Sequence, residues 1–142
     1  MRAYLSRRYH FSASHRLHSD RLSEKQNYEV YGKCNNPHGH GHNYIVEVTV
    51  GGPVDPSTGM VCDLGKLDGC VQNEVVARFD HSNLNLHEFF ANEVPTTENV
   101  CIRIYGLLAA ALVGAELVRV RVEETGNNSF EYEGLIRRKL ER

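Results

Sequence analysis

Lys33 to Val50 reads KCNNPHGHGHNYIVEVTV, which sets one thiol and three alternating histidines directly ahead of an extended apolar run. Zinc prefers imidazole nitrogen in a tetrahedral shell, and its catalytic sites commonly use three protein ligands and keep one position open. Residues i and i+2 of a strand share a face, so His40 and His42 can converge on one ion. Gly39 and Gly41 leave space on the opposite face and let the backbone bend. The third ligand has to come from another segment. His15 fits, since it ends an earlier strand that would pair antiparallel with this one. A lone histidine is ordinarily a core or surface residue. A His-Gly-His that opens a strand, with another His ending the neighbouring strand, reads better as a metal site. His38 shares the parity of His40 and His42, so His38-x-His40 is a competing pair. Three alternating residues rising about 3.3 Å each span too far for one ion, and 40 and 42 lie further into the apolar strand.

Other residue types could do chemistry beside such a metal. Cys34 lies six residues before His40. It reads as a fourth ligand, a buried structural thiol, or an acid/base group whose pKa a nearby cation lowers. Cys62, Cys70 and Cys101 fall in or beside helices and read as packing residues. Asp80 and His81 follow a helix in FDHSNL; a carboxylate can orient an imidazole and raise its basicity, though Asp80 could equally end the helix. Glu124 continues the buried parity of Val118, Val120 and Val122, where a carboxylate is costly without donors. A ligand edge with adjacent N–H groups, as in a pterin or guanine, would meet both its oxygens; a frayed strand end turned to water is the alternative. Thr96, Thr97 and Glu98 sit at a helix start, where capping alone explains the threonines.

These residues need elements to position them. Tyr4 to His15 alternates as a strand whose odd positions carry Leu5, Tyr9, Phe11, Ala13 and His15. Arg16 to Lys33 is polar and irregular and reads as a long, functional loop. A second strand runs from about His38 to Val50 and ends at the turn GGPVDPSTG. Asp63 opens a helix to about Arg78, with Leu64, Leu67, Val71, Val75 and Phe79 on one face. A second helix starts near Thr96 or Thr97 and carries Val100, Ile104, Leu107, Leu108 and Ala111. ELVRVRVEE and SFEYEG are the last two strands, joined through Gly126-Asn127-Asn128. The order ββααββ predicts an α+β domain with an antiparallel sheet.

Composition bounds the rest. The chain has 142 residues, 41% hydrophobic and 24% charged, with a net charge of −2, eight histidines and no tryptophan. This suits one soluble domain, 1–142. It lacks the basic footprint of a nucleic-acid binder. No signal peptide is recognisable, and Gly106–Ala115 is too short to span a bilayer, so no membrane association is expected. Four cysteines without a C-x-x-C pair indicate a reduced, cytoplasmic protein.

Six blocks, FSASHRLHS, GKCNNPHGHGHNY, DPSTGMV, DHSNLN, PTTENV and EET, occur in the order found in the 6-pyruvoyl tetrahydropterin synthase family, which the chain resembles from Phe11 to Gly134. The resemblance implies a tunnelling fold: an antiparallel sheet with two helices on one face, three sheets closing a barrel, and two rings stacking into a homohexamer with sites at subunit interfaces. It implies conversion of 7,8-dihydroneopterin triphosphate to 6-pyruvoyl tetrahydropterin with loss of triphosphate. It also implies one Zn2+ per subunit on His15, His40 and His42, Cys34 as the base, and His81 with Asp80 as the second proton handler. Glu124 would anchor the pterin, with Thr97 and Glu98 lining its pocket. Mg2+ could accompany the triphosphate, and no nicotinamide is needed, in keeping with the missing G-x-G-x-x-G. Arg7, Arg8, Arg16, Lys33 and Lys66 are candidates for holding the triphosphate. One departure is His38, where asparagine is expected: Cys34-x3-His38-Gly39-His40 resembles the 6-carboxy tetrahydropterin synthases of queuosine biosynthesis. More distant alternatives are a zinc hydratase or hydrolase, and a non-enzymatic purine- or metal-binding module.

Overall fold

Strict apolar/polar alternation makes the two long strands. In the computed structural model, which describes residues 1–134, β1 (Arg2–His15) and β2 (His40–Pro53) pair antiparallel along their whole length, from Arg2 opposite Pro53 to His15 opposite His40. The expected domain 1–142 therefore includes residues 135–142, which lie outside the described residues. Tyr44, Val46, Val48 and Val50 of β2 are fully buried. Each valine contributes roughly 1.5–3 kcal/mol by leaving water. β2 continues past the expected end at Val50: Gly51 and Gly52 still face Tyr4 and Ala3. The reversal is left to Asp55–Met60, where the Asp55 side chain accepts from Ser57 N at 2.7 Å and its carbonyl from Gly59 N at 2.7 Å.

The stretch expected to be a loop, Arg16 to Lys33, contains a helix, α1 (Glu24–Tyr31). Apolar periodicity does not reveal it, because polar contacts hold it. Ser23 Oγ accepts from Gln26 N at 3.1 Å, and Gln26 Oε1 accepts from Ser23 N at 2.9 Å, a reciprocal cap. Asn27, fully buried, donates to the carbonyls of Ser19, Leu22 and Ser23.

α2 (Leu64–Val71) starts at Asp63, whose side chain accepts from Lys66 N at 3.1 Å, and runs on through a π-helical turn, Gln72–Val76, into α3 (Ala77–Phe79). Leu67, Val71, Val75 and Phe79 are buried, as their spacing predicts. β3 (Ser82–Asn83) pairs in parallel with Ala13 and Ser14 of β1, so the sheet is not wholly antiparallel. A two-residue strand carries no readable periodicity. α4 (Thr97–Ala111) is capped by Thr96, and buries Val100, Ile104 and Leu108. β4 (Glu116–Thr125) and β5 (Asn128–Tyr132) complete a five-stranded sheet of order β3-β1-β2-β4-β5.

Both long helical segments pack into one core with Phe11, Val46, Val48, Val120 and Val122, which puts them on one face of the sheet. The opposite parity is charged: Arg8 lies 3.6 Å from Glu123, and Arg121 lies 3.8 Å from Glu47. Among the described residues no helix is long and apolar enough to cross a membrane.

Candidate active site

The β1–β2 ladder ends in imidazoles. His15 faces His40, and His42 faces Ala13, whose methyl group leaves the ring room on the helix side of the sheet. The three rings form a near-regular triangle, with centroids 4.7, 4.8 and 5.0 Å apart. Gly39 is required beside them: its φ is +72°, and a Cβ there would meet the His15 carbonyl at 3.1 Å. Gly41 is not under the same constraint, since a Cβ would approach Ala13 O only to 3.7 Å.

His15 is 1% exposed, and its Nδ1 donates to the Pro95 carbonyl at 2.8 Å. That bond fixes the tautomer and leaves a lone pair on Nε2, which points at His40 Nε2 3.1 Å away. The Tyr44 hydroxyl stands 3.3 Å from the same Nδ1. Burial lowers the pKa of both His15 and His42, which favours the neutral form that a metal ion requires.

Glu124 completes the cluster from β4. A bulge between Glu123 and Thr125 leaves it without a partner on β5. Thr97, buried in the first turn of α4, donates its hydroxyl to Glu124 Oε2. Glu124 Oε1 lies 3.1 Å from His42 Nε2, but the approach does not form a hydrogen bond, and His42 Nε2 is buried with no partner. One ligand atom from each of His15, His40, His42 and Glu124 lies within 4.8 Å of all the others. An orphaned buried nitrogen is unfavourable in a protein without a cation. Three imidazoles and a carboxylate are a donor set that suits zinc, so the residues fit the metal.

A model of the family described as 6-pyruvoyl tetrahydropterin synthase matches residues 4–135. The chain belongs to that family. A 6-pyruvoyl tetrahydrobiopterin synthase of Poecilia reticulata is 49% identical over 132 residues, 92% of this chain and 90% of the other. The solved structure of the Caenorhabditis elegans 6-pyruvoyl tetrahydropterin synthase superposes with a TM-score of 0.92 at 44% identity, covering 95% of this chain and 97% of that one. A putative 6-carboxy-5,6,7,8-tetrahydropterin synthase of Archaeoglobus fulgidus is 48% identical over 85 residues, 60% of this chain and 67% of its own length.

Of the residues that the family resemblance marks, the structure joins His15, His40, His42, Glu124 and Thr97 in one contact group. It also forms the Asp80–His81 pair. His81 takes a φ of 57° and donates its backbone N–H to Ser12 O at 2.6 Å, while Asp80 Oδ1 accepts from Ser12 N at 2.8 Å. Asp80 Oδ2 lies 3.0 Å from His81 Nδ1. The Ser12 N–H, ahead of His81, holds the Asp80 carboxyl below its usual range. The His81 ring is 84% exposed, and it shares a groove of about 490 Å³ with His42 and Ser12.

Three further candidate residues are not members of the cluster of His15, His40, His42 and Glu124. Cys34 is half-buried in a 3-10 turn, Gly32–Asn35, and its carbonyl accepts from Leu17 N at 2.9 Å. Glu98 is exposed on α4. His38, the competing ligand, is exposed and outside the cluster, although it lines a cavity of about 500 Å³ that has His15 and Pro95 in its wall. The remaining thiols are packing residues, as expected: burial raises Cys62 and Cys70, and pushes Cys101 up to about 12. Sequence reasoning misses Pro95 and Tyr44 as site residues. A backbone carbonyl has no sequence signature, whereas the parity of Tyr44 with His42 is a signal that could have found it.

Proposed function

We propose that the chain is a zinc-dependent lyase that converts 7,8-dihydroneopterin triphosphate to 6-pyruvoyl tetrahydropterin with loss of triphosphate. The observation that carries this reading is the His15–His40–His42 triangle with its orphaned Nε2, in a chain about half identical over nine-tenths of its length to named synthases. The three imidazoles of the triangle would hold the metal, with Glu124 beside it. Zinc bound there would supply a Lewis acid that acidifies the substrate side chain's C–H bonds.

The chain's own residues do the rest. Glu124 keeps free lone pairs after accepting from Thr97, and these take the paired N–H edge of the pterin. Thr97 thereby positions the carboxylate, and Glu98 in the same turn lines the pocket mouth. Asp80 holds a proton on His81 Nδ1, which leaves Nε2 to accept or return one. Cys34 is the base that removes the first proton. We assign the chain to a homohexamer of two sheet-barrel trimers with sites at subunit interfaces, as the family resemblance implies. The uncovered charged face of the sheet, which such a barrel would enclose, supports the same assembly. One domain over 1–142 and a cytoplasmic setting complete the proposal. Magnesium would accompany only the triphosphate.

The carboxy-forming reaction is the second reading, favoured by the 48% identity with the shorter archaeal match. Its spacing argument rests on His38, which lies outside the cluster. Purified protein given 7,8-dihydroneopterin triphosphate decides between them. Pyruvoyl product with released triphosphate is expected; 6-carboxy product with acetaldehyde would overturn the assignment.

A further inference from the structure

The proposed substrate carries its triphosphate on the last carbon of the three-carbon side chain that the metal would hold. The polyphosphate must then lie beside the imidazoles, and a subsite for it rests on that reading of the function. Of the five basic candidates, most are otherwise engaged or misplaced. Arg7 grips Asp68 with two nitrogens, at 2.7 and 3.1 Å. Arg8 faces Glu123 at 3.6 Å on the other side of the sheet. Lys33 and Lys66 lie outside the cavity that has His15 in its wall.

Arg16 lines that cavity. Its backbone is clamped by Asn85, which accepts from Arg16 N at 2.7 Å and donates to Arg16 O at 2.9 Å. Its Nε donates to the Asn35 carbonyl at 2.9 Å, which orients the guanidinium, and among the described residues its terminal nitrogens have no carboxylate partner. Arg21, on the rim of the same cavity, is likewise without an ion pair among the described residues. The acids nearby do not cancel these charges. Glu93 is engaged by Arg103 at 3.3 Å, and the Asp20 side chain is fully exposed beside His18. A pre-oriented guanidinium fork is the group best suited to phosphate oxygens.

We propose that Arg16, with Arg21 at the rim, forms the polyphosphate subsite of this cavity. The test titrates inorganic tripolyphosphate into the zinc-loaded protein by calorimetry, with bound zinc checked afterwards because polyphosphates chelate it. Arg16→Gln should weaken tripolyphosphate about 10- to 100-fold, the loss typical of a hydrogen bond to a charged group. It should leave the affinity for neopterin, which has no phosphate, unchanged, and Arg7→Gln should change neither. Equal tripolyphosphate affinity in Arg16→Gln and the parent overturns the proposal. So does a matching loss of neopterin affinity, which would make Arg16 a structural residue. Should Arg16→Gln not fold, Arg21→Gln on the exposed rim decides by the same comparison. Because the titration needs no turnover, a protein that binds tripolyphosphate through Arg16 but forms no pyruvoyl product refutes the reaction and leaves the subsite standing.

Discussion

Replacing His42 with leucine separates a metal centre from a histidine-rich core. In the metal-free chain His42 Nε2 is buried without a partner, 3.1 Å from a carboxylate oxygen that it does not properly bond. An unsatisfied buried polar atom costs about 1–3 kcal/mol. His42→Leu removes that cost and loses some packing and the Glu124 contact in exchange. The metal-free variant should therefore stay within about 1 kcal/mol of the metal-free parent, although a half-buried ring has been removed; ordinary large-to-small core changes cost more. Metal reverses the comparison. Free zinc at about a thousand times its dissociation constant stabilises the folded state by about 4 kcal/mol. For a chain of this length 1 kcal/mol moves the melting midpoint by about 3–4 °C, so the parent should gain about 12–16 °C with zinc. His42→Leu, with one imidazole of three missing, should gain little of that. Calorimetric or fluorescence melting of both proteins, in chelator and in buffered zinc, gives the four midpoints. A metal-free variant that melts more than about 10 °C below the metal-free parent, roughly 3 kcal/mol, would show that the ring carries the fold. An undiminished zinc shift in the variant would show that the metal sits elsewhere.

The same geometry makes three further outcomes testable. Glu124→Gln should raise the KM for the pterin substrate about 10- to 100-fold through loss of charge-assisted hydrogen bonds, while zinc content by elemental analysis is retained. Cys34→Ala should lower kcat by about 10²–10⁴ with zinc still bound; a zinc hydratase would lose little, so a mild effect on turnover counts against the base assignment. The Asp68 carboxyl, held below its ordinary value first by the Tyr9 hydroxyl and then by Arg7, stabilises the fold above about pH 3.8, and that contribution is lost as the pH falls through its lower folded-state value. Denaturant melts of Asp68→Asn and the parent should differ at neutral pH and converge in acid, and parallel curves down to about pH 2 would refute that.

The kind of force that holds each part decides whether sequence discloses it. The imidazole triangle is legible because strand geometry is rigid: a two-residue period and one antiparallel pairing place His15, His40 and His42 on one face, and the ladder has His15 opposite His40. Glu124 is legible for the same reason, as an acid continuing a buried parity, and its donor is Thr97. The α1 helix escapes because its stability comes from Ser23, Gln26 and Asn27, polar contacts that leave no apolar rhythm. The Ser-x-x-Gln cap is its one signal. The Pro95 carbonyl that sets the His15 tautomer escapes because every residue has a carbonyl. Cys34 and Glu98 are a different case. The resemblance marks both, yet neither belongs to the four-residue cluster of His15, His40, His42 and Glu124, whereas Thr97, next to Glu98 on the same helix, is bonded to its carboxylate. The interface site that the resemblance implies is coherent if the ligand end is built within one sheet and a neighbour completes the proton-transfer end. Dilution to dissociated subunits should then abolish turnover and leave zinc in place, since the triangle needs only β1 and β2.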